Sequence, residues 1–244
     1  MPRIFLSPST QESNEYVTGG SEEYHMNLLA DALEPYLRAS GIQFVRNTPE
    51  MTAASSIRAS NAEDFDLHLA LHSNAAPEGR YGQVRGVDVY YSPNSQRGQR
   101  AANIVADNFK DIYPDPNLVR AIPTTSIGEV RQTRAPSVFI ELAYHDNEED
   151  ANWIVDNMDA IARSIALSLT EFFNIPFVWP TAPRTGTVAV SSGTLNIRSG
   201  PSRESRVIAS ARNGDQLTIL GEIGEWYAVE YGNQYGFANK AYVR

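Results

Sequence analysis

The chain has 244 residues, 42% of them hydrophobic, and a net charge of −9, a composition typical of a globular protein with one large and one small domain. The acidic charge argues against a nucleic-acid-binding protein. The absence of cysteine excludes disulfide scaffolds, thiol nucleophiles and cysteine-bound zinc. No apolar run is long enough to cross a membrane, and the amino terminus lacks the apolar core of a secretory signal.

Strand-like and helix-like patterns alternate along residues 1–177. This alternation predicts an α/β domain whose mostly parallel sheet is covered by helices on both faces. The predicted strands are 3–7, 42–45, 66–75, 86–92 and 136–142, and the predicted helices are 21–40, 49–61, 96–113 and two within 148–174. Residues 114–134 carry no clear period and are expected to be irregular, with a short strand as an alternative within them.

The composition and the hydrophobic pattern of the sequence change after residue 177. Prolines concentrate between Ile175 and Arg184, so a semi-rigid linker is predicted over 178–185. Short strand-like runs separated by Gly, Ser and Asn then fill 186–244. This pattern predicts a small all-β barrel as a second domain.

Three ionisable residues fall where an α/β sheet collects its chemistry, near the carboxyl ends of the strands. His72 ends a buried strand, Glu141 closes another, and Glu23 lies in the first turn of the first helix. An imidazole at such an edge can bind a metal or transfer a proton, and a buried carboxylate is costly unless it is compensated. The alternative is that these side chains only bind backbone groups or solvent.

Residues 1–175 resemble the zinc-dependent N-acetylmuramoyl-L-alanine amidases of the amidase 3 type. Three segments carry the resemblance in the right order, namely Glu23–Ala30, Asp66–Ala75 and Pro136–Tyr144. The resemblance implies a Zn²⁺ cofactor and cleavage of the amide between N-acetylmuramic acid and L-alanine by a zinc-activated water.

Residue by residue, the resemblance assigns zinc ligation to Glu23 and His72 and the catalytic role to Glu141. Glu141 would take the proton of the water and pass it to the leaving amine. Asn74, in the motif of His72, and Arg131, before the strand of Glu141, are the predicted substrate-binding residues. Arg131 is alternatively a surface arginine.

The chain departs from the family at the third ligand, where Thr10 stands in place of a histidine. His145 is the best substitute ligand, and Gln11 is an uncommon one. The site is therefore completed by His145, holds its metal weakly, or is inactive. His68 is expected in the core and His25 at a solvated edge.

The second domain resembles a bacterial SH3 (SH3b) domain, through Leu195–Ser202 and the aromatic segments that follow. The resemblance implies an SH3-like barrel that binds peptidoglycan. Trp226, Tyr227 and Tyr235 are candidates to line its groove, although Trp226 suits the barrel core.

Both halves point to the same polymer, so the leading hypothesis is a peptidoglycan hydrolase with a wall-binding module. The alternatives are an inactive amidase-fold protein that only binds the cell wall, and a zinc peptidase that acts on another amide. The expected partner is the bacterial cell wall, with no nucleic acid and no membrane insertion. We expect the protein to reach the wall by release, by a non-Sec route, or after loss of a leader.

Overall fold

A computed structural model describes all residues, 1–244, and its first sheet has six strands. They are β1 (Arg3–Pro8), β2 (Gln43–Arg46), β3 (Leu67–Asn74), β4 (Val87–Tyr91), β5 (Val119–Pro123) and β6 (Ser137–Tyr144). Their order is β2-β1-β3-β6-β4-β5. β3 is parallel to both β1 and β6, whereas β4 is antiparallel to β6 and parallel to β5. The predicted mostly parallel sheet is confirmed.

Six helices accompany this sheet. They are α1 (Glu22–Ala39), α2 (Ala53–Ala62), α3 (Gln96–Lys110), α4 (Gly128–Arg131), α5 (Glu148–Asp156) and α6 (Met158–Phe173). Side chains cap three of the helix starts, because Thr52, Ser95 and Asn147 each accept hydrogen bonds from the first backbone amides. The short α4 lies in the region that was predicted to be irregular. None of the helices combines the length and the apolarity that a membrane-spanning segment needs.

The two central strands explain the apolar runs in the sequence. Every residue of β3 except Asn74 is buried, and so is every residue of β6 except Glu141. A strand with neighbours on both sides and helices above and below has no solvated face, so its sequence does not alternate. The polar ends of these strands therefore meet at one edge of the sheet.

A second sheet of six antiparallel strands forms the carboxyl-terminal barrel. Its strands are β7 (Pro180–Thr187), β8 (Thr194–Arg198), β9 (Val207–Arg212), β10 (Gln216–Ile223), β11 (Trp226–Tyr231) and β12 (Gln234–Asn239), in the order β7-β10-β11-β12-β8-β9. Apolar residues that alternate along these strands, such as Leu195 with Ile197 and Leu217 with Ile219, form its core. The predicted small all-β domain of SH3 type is confirmed.

The predicted domain limits of 1–177, 178–185 and 186–244 stay predictions, and the structure divides into two compact units. One compact unit contains Arg3–Leu33 and Phe44–Phe172, and the other contains Met1–Pro2, Glu34–Gln43 and Phe173–Arg244. Most of the predicted linker is strand β7. This strand tolerates Pro180 and Pro183 because it is an edge strand, which needs backbone donors on one side only.

Candidate active site

His72 and Glu141 lie side by side at the carboxyl ends of β3 and β6. The two residues are direct partners in the parallel register. The next pair is Asn74 with Tyr144, so β6 carries one extra residue, and Ala143 adopts a left-handed conformation with φ of 58°. Such a bulge bends a strand and redirects the side chains around it. It occurs here immediately after the predicted catalytic glutamate.

Glu22, rather than the predicted Glu23, faces His72. The Oε1 atom of Glu22 lies 2.7 Å from Nδ1 of His72, and the side chain is buried. Consecutive residues of a helix point about 100° apart, so only one of the two glutamates can reach the sheet edge. Burial and the carboxylates of Glu12 and Glu50 raise the pKa of Glu23, which lies in other surroundings.

Gln11 completes the group around Nδ1 of His72. Its Nε2 atom lies 3.3 Å from that nitrogen and 3.4 Å from Oε1 of Glu22. Asn14 holds both neighbours, because its Nδ2 atom donates to Gln11 at 3.2 Å and to Glu22 at 2.6 Å. Of the two residues that the sequence offered at this position, Gln11 and not Thr10 contacts His72.

Glu129 of α4 is a functional candidate that sequence reasoning missed. Its Oε1 atom lies 3.5 Å from Nε2 of His72, and its Oε2 atom lies 2.8 Å from Nε2 of His68. His68 is buried as predicted, but it is also part of this charged group. Although burial opposes it, contact with Glu129 and Glu22 raises the pKa of His72 to about 10. Burial alone would raise the pKa of Glu129, but the two imidazoles lower it to about 2.

Glu141 has an unusual environment for a carboxylate. Its Oε2 atom is buried and has no hydrogen-bond partner. Burial, reinforced by Glu22 and Asp88 and opposed by His72, raises the pKa of Glu141 to about 8. Asp88 is its register partner on β4, and Arg120 binds Asp88 in a bidentate pair at 3.0 and 3.1 Å. A carboxyl group with a pKa of about 8 changes its protonation state close to neutral pH.

The remaining predicted site residues do not join this group. His145 lies against Ser73, with its Nδ1 atom 3.0 Å from Oγ and 3.1 Å from the carbonyl oxygen, so the structure does not bring Glu23, His72 and His145 together. Arg131 is exposed on α4. The side chain of Asn74 accepts a bond from the neighbouring amide of Ala75.

His25 is buried, which corrects the expectation of a solvated edge. Its Nε2 atom lies 2.9 Å from the carbonyl oxygen of Gly19, and its ring packs on Tyr16 with centroids 4.2 Å apart. The cover is the loop before α1, which turns through Gly19 and Gly20 with positive φ angles. The sequence did not indicate the burial of His25, because a glycine-rich loop shows neither a helical nor a strand period.

Two of the three side chains that meet at this edge are of types that commonly bind zinc. No three His, Asp or Glu side chains converge to hold a metal. The imidazole of His72 and the carboxylate of Glu22 are ordinary zinc ligands, and the amide of Gln11 is a weak one. The side of His72 opposite these donors faces a carboxylate, as is usual for zinc-binding histidines.

Two cavities accompany the predicted binding surfaces. One of about 400 Å³ opens beside His72 and Glu129, with Met51, Ile127 and Phe139 in its wall. The other, of about 440 Å³, lies on the barrel.

The barrel cavity is lined in part by Arg198, Arg203, Trp226 and Tyr242. Trp226 lines this cavity and also packs against a core cluster of the barrel, which was the favoured prediction for it. Tyr227 and Tyr235 do not line the cavity: Tyr227 packs against Lys240, and Tyr235 against Arg38.

Comparison with known proteins agrees with this architecture. AmiC2, an N-acetylmuramoyl-L-alanine amidase of Nostoc punctiforme, superposes with a TM-score of 0.62 at 16% identity over 71% of this chain and 97% of its own. The catalytic domain of CwlV from Bacillus (Paenibacillus) polymyxa gives 0.62 at 16% over 72% and 100%. That of the CD27L endolysin, which targets Clostridia difficile, gives 0.57 at 17% over 70% and 98%. At these identities the likeness shows the fold.

Sequence comparison is more specific. Bacteriocin BCN5 of Clostridium perfringens is 34% identical over 59 residues, which are 24% of this chain and only 7% of that relative. Residues 193–244 match the bacterial SH3 domain. Residues 9–171 match the N-acetylmuramoyl-L-alanine amidase family, so the chain belongs to that family and carries a bacterial SH3 domain.

Proposed function

We propose that the protein hydrolyses the amide between N-acetylmuramic acid and L-alanine in peptidoglycan, with a zinc ion held by Glu22, His72 and Gln11. The observation that carries the proposal is the 2.7 Å contact between Glu22 and His72, next to a Glu141 carboxyl group whose Oε2 atom has no hydrogen-bond partner. Family membership supplies the reaction class. Zinc in such a site supplies Lewis acidity toward the amide carbonyl and lowers the pKa of water.

Glu141 is the proposed general acid and base. It would accept the proton of the attacking water and deliver it to the nitrogen that leaves, so that one carboxyl group serves both halves of the reaction. Desolvation of its carboxyl group keeps the pKa of Glu141 far above that of a solvated glutamate, at about 8. A carboxyl group with this affinity for a proton can release it again to an amine.

The cavity beside His72 is the proposed site for the substrate. Its wall combines the apolar side chains of Met51, Ile127 and Phe139 with hydroxyl groups such as that of Thr52. Apolar walls with a few polar groups orient a ligand before reaction. On the barrel, the cavity with Trp226 and Tyr242 is the proposed wall-binding groove, so that the protein acts at the cell wall.

The test is release of soluble fragments from dye-labelled peptidoglycan by protein purified without chelator. We expect release, new L-alanine amino termini, about one zinc per chain, and loss of activity after chelation that zinc restores. New amino termini other than L-alanine would favour the zinc peptidase.

One observation favours a second function. Gln11 supplies an amide where a strong zinc ligand would be expected. If the site does not hold zinc for this reason, the protein is a wall-binding member of the family without activity. Less than about a tenth of an equivalent of zinc, together with sedimentation on peptidoglycan and no release, would establish this alternative.

A further inference from the structure

One row of ionisable side chains crosses four neighbouring strands of the first sheet. His72 on β3 is the register partner of Glu141 on β6. Glu141 pairs with Asp88 on β4, which pairs in turn with Arg120 on β5. Directly paired residues of a sheet point to the same face, so the four side chains share one face. Since neighbouring strands are about 4.8 Å apart, the backbone of Arg120 lies about 10 Å from that of Glu141.

The guanidinium of Arg120 is oriented by Asp88 and still faces solvent. Its Nε and Nη2 atoms lie 3.0 and 3.1 Å from the two carboxylate oxygens of Asp88. The side chain of Asp88 is only 4% exposed, whereas that of Arg120 is 58% exposed. A guanidinium has five N–H donors, and a carboxylate that binds Nε and Nη2 leaves three of them. The fork formed by Nη1 and Nη2 of Arg120 therefore remains for a second carboxylate.

Arg120 and the cavity beside His72 lie on opposite sides of Glu141. The cavity is lined by Pro8 of β1 and His72 of β3, whereas Arg120 is on β5, beyond β6 and β4 in the order of the strands. An amide bond at Glu141 thus has the cavity on one side and the guanidinium on the other. Because an extended peptide advances about 3.4 Å per residue, the distance of about 10 Å corresponds to about three residues.

We propose that Arg120 binds a carboxylate on the second or third residue of the peptide that follows the scissile amide, so that the protein prefers acidic over amidated stem peptides. The muramic acid part then lies in the cavity, and the peptide part runs across β4 toward β5. A carboxylate accepts from both arms of a guanidinium fork, whereas a carboxamide has only one acceptor oxygen. The inference rests on the proposed function, because that function places the scissile amide at Glu141.

The test compares two synthetic N-acetylmuramoyl peptides that begin with L-alanine and carry either carboxylates or carboxamides on the second and third residues. Wild type should favour the carboxylates about 10- to 100-fold in kcat/KM, mainly through KM. Arg120→Ala should reduce this preference to within about twofold, and Arg120→Lys should keep part of it, since an ammonium group lacks the fork. The control is Arg3→Ala, which removes a partly exposed arginine paired with Glu63 at the start of β1 and should keep the whole preference.

The preference is a ratio measured within each variant, so an effect of the substitution on Glu141 that is common to both peptides cancels. If Arg120→Ala does not fold because Asp88 is left unpaired, the double variant Asp88→Asn/Arg120→Gln removes both charges and should also show no preference.

The outcomes separate this inference from the proposed function. If wild type cleaves neither peptide, the proposed function fails, and calorimetric binding of the two free stem peptides still tests Arg120. Cleavage of both peptides with equal kcat/KM, equal binding of both, or a preference that persists without Arg120 would overturn the inference. Cleavage without a preference would leave the proposed function standing.

Discussion

Two pairs of buried histidines lie in the same unit, and they differ in what surrounds them. His68 and His72 are linked through the carboxylate of Glu129, and we call them the carboxylate-linked pair. His25 and His145 both pack on the ring of Tyr16, and we call them the ring-stacked pair. Burial is almost equal in the four, with exposed fractions of 0 to 7%. Burial and closeness to the sheet edge therefore do not identify a functional histidine.

The partners of each pair make the difference. The carboxylate-linked pair has the anionic neighbours Glu22 and Glu129, which stabilise a cation. The ring-stacked pair contacts neutral groups, namely the carbonyl oxygen of Gly19 and the hydroxyl and carbonyl of Ser73. Only the first environment is suited to a metal ion.

The largest expected effect is on the reaction beside the carboxylate-linked pair. Glu141→Gln removes the proposed proton carrier at constant shape and should lower kcat for release of labelled peptidoglycan about 10²- to 10⁴-fold. The melting temperature should not fall, because the carboxyl oxygen that is replaced has no hydrogen-bond partner. Activity within tenfold of wild type would exclude Glu141 as the general base.

The next effect separates the two pairs directly. His72→Ala should weaken zinc binding by more than about 100-fold, since a ligand costs more than the outer partners that orient it. His145→Ala should leave zinc affinity within about twofold while lowering the free energy of unfolding by about 2 kcal/mol through the cavity it creates. Zinc loss in His145→Ala would place that residue at the metal after all.

A smaller change is expected at the weak donor of the site. Gln11→His offers an imidazole to a site that holds one histidine and one glutamate, and it should tighten zinc binding about tenfold. Gln11→Ala should weaken binding by a similar factor. Thr10→Ala is the control for metal binding and should leave zinc affinity unchanged. An effect on zinc affinity at Thr10 alone would reverse the assignment.

The smallest effect concerns the cover of the ring-stacked pair. Gly20 has φ of 81°, and a Cβ there would lie 2.7 Å from Nε2 of His25, whereas Gly19 has φ of 96° and no atom within 4 Å of its Cβ position. Gly19→Ala should cost about 1 kcal/mol for its backbone conformation, and Gly20→Ala about 1 kcal/mol more for the contact. If the two variants lose the same free energy of unfolding in urea, the loop moves to relieve the contact with His25.

The sequence predicted the fold class because the alternation of strands and helices and the apolar central strands are local signals. The reversed direction of β4 left no such signal, because a strand pattern reads the same in both directions. The proline-rich segment was predicted as a linker because its pairing with β10 is a tertiary contact, which leaves no local signal in the sequence.

At the site, His72 and Glu141 were predictable because each lies in the carboxyl-terminal half of a strand whose apolar run is clear in the sequence, although their roles stay predictions. The contact of Glu22 with His72 was not predicted, since the direction in which a helical side chain points depends on where the helix starts. Glu129 was missed because α4 has a single turn and offers no period. Arg131, two residues later, was predicted to bind substrate from its charge and its place before the strand of Glu141.

Strand β7 has a consequence for how the protein behaves at high concentration. The free edge of a sheet is a template on which a second chain can add a strand, and this is a common start of aggregation. Pro180 and Pro183 lack the amide hydrogens that such pairing needs, and they lie on β7, an edge strand of the barrel sheet. The residues that resemble a semi-rigid linker in the sequence thus leave this edge with fewer amide donors for a strand from a second molecule.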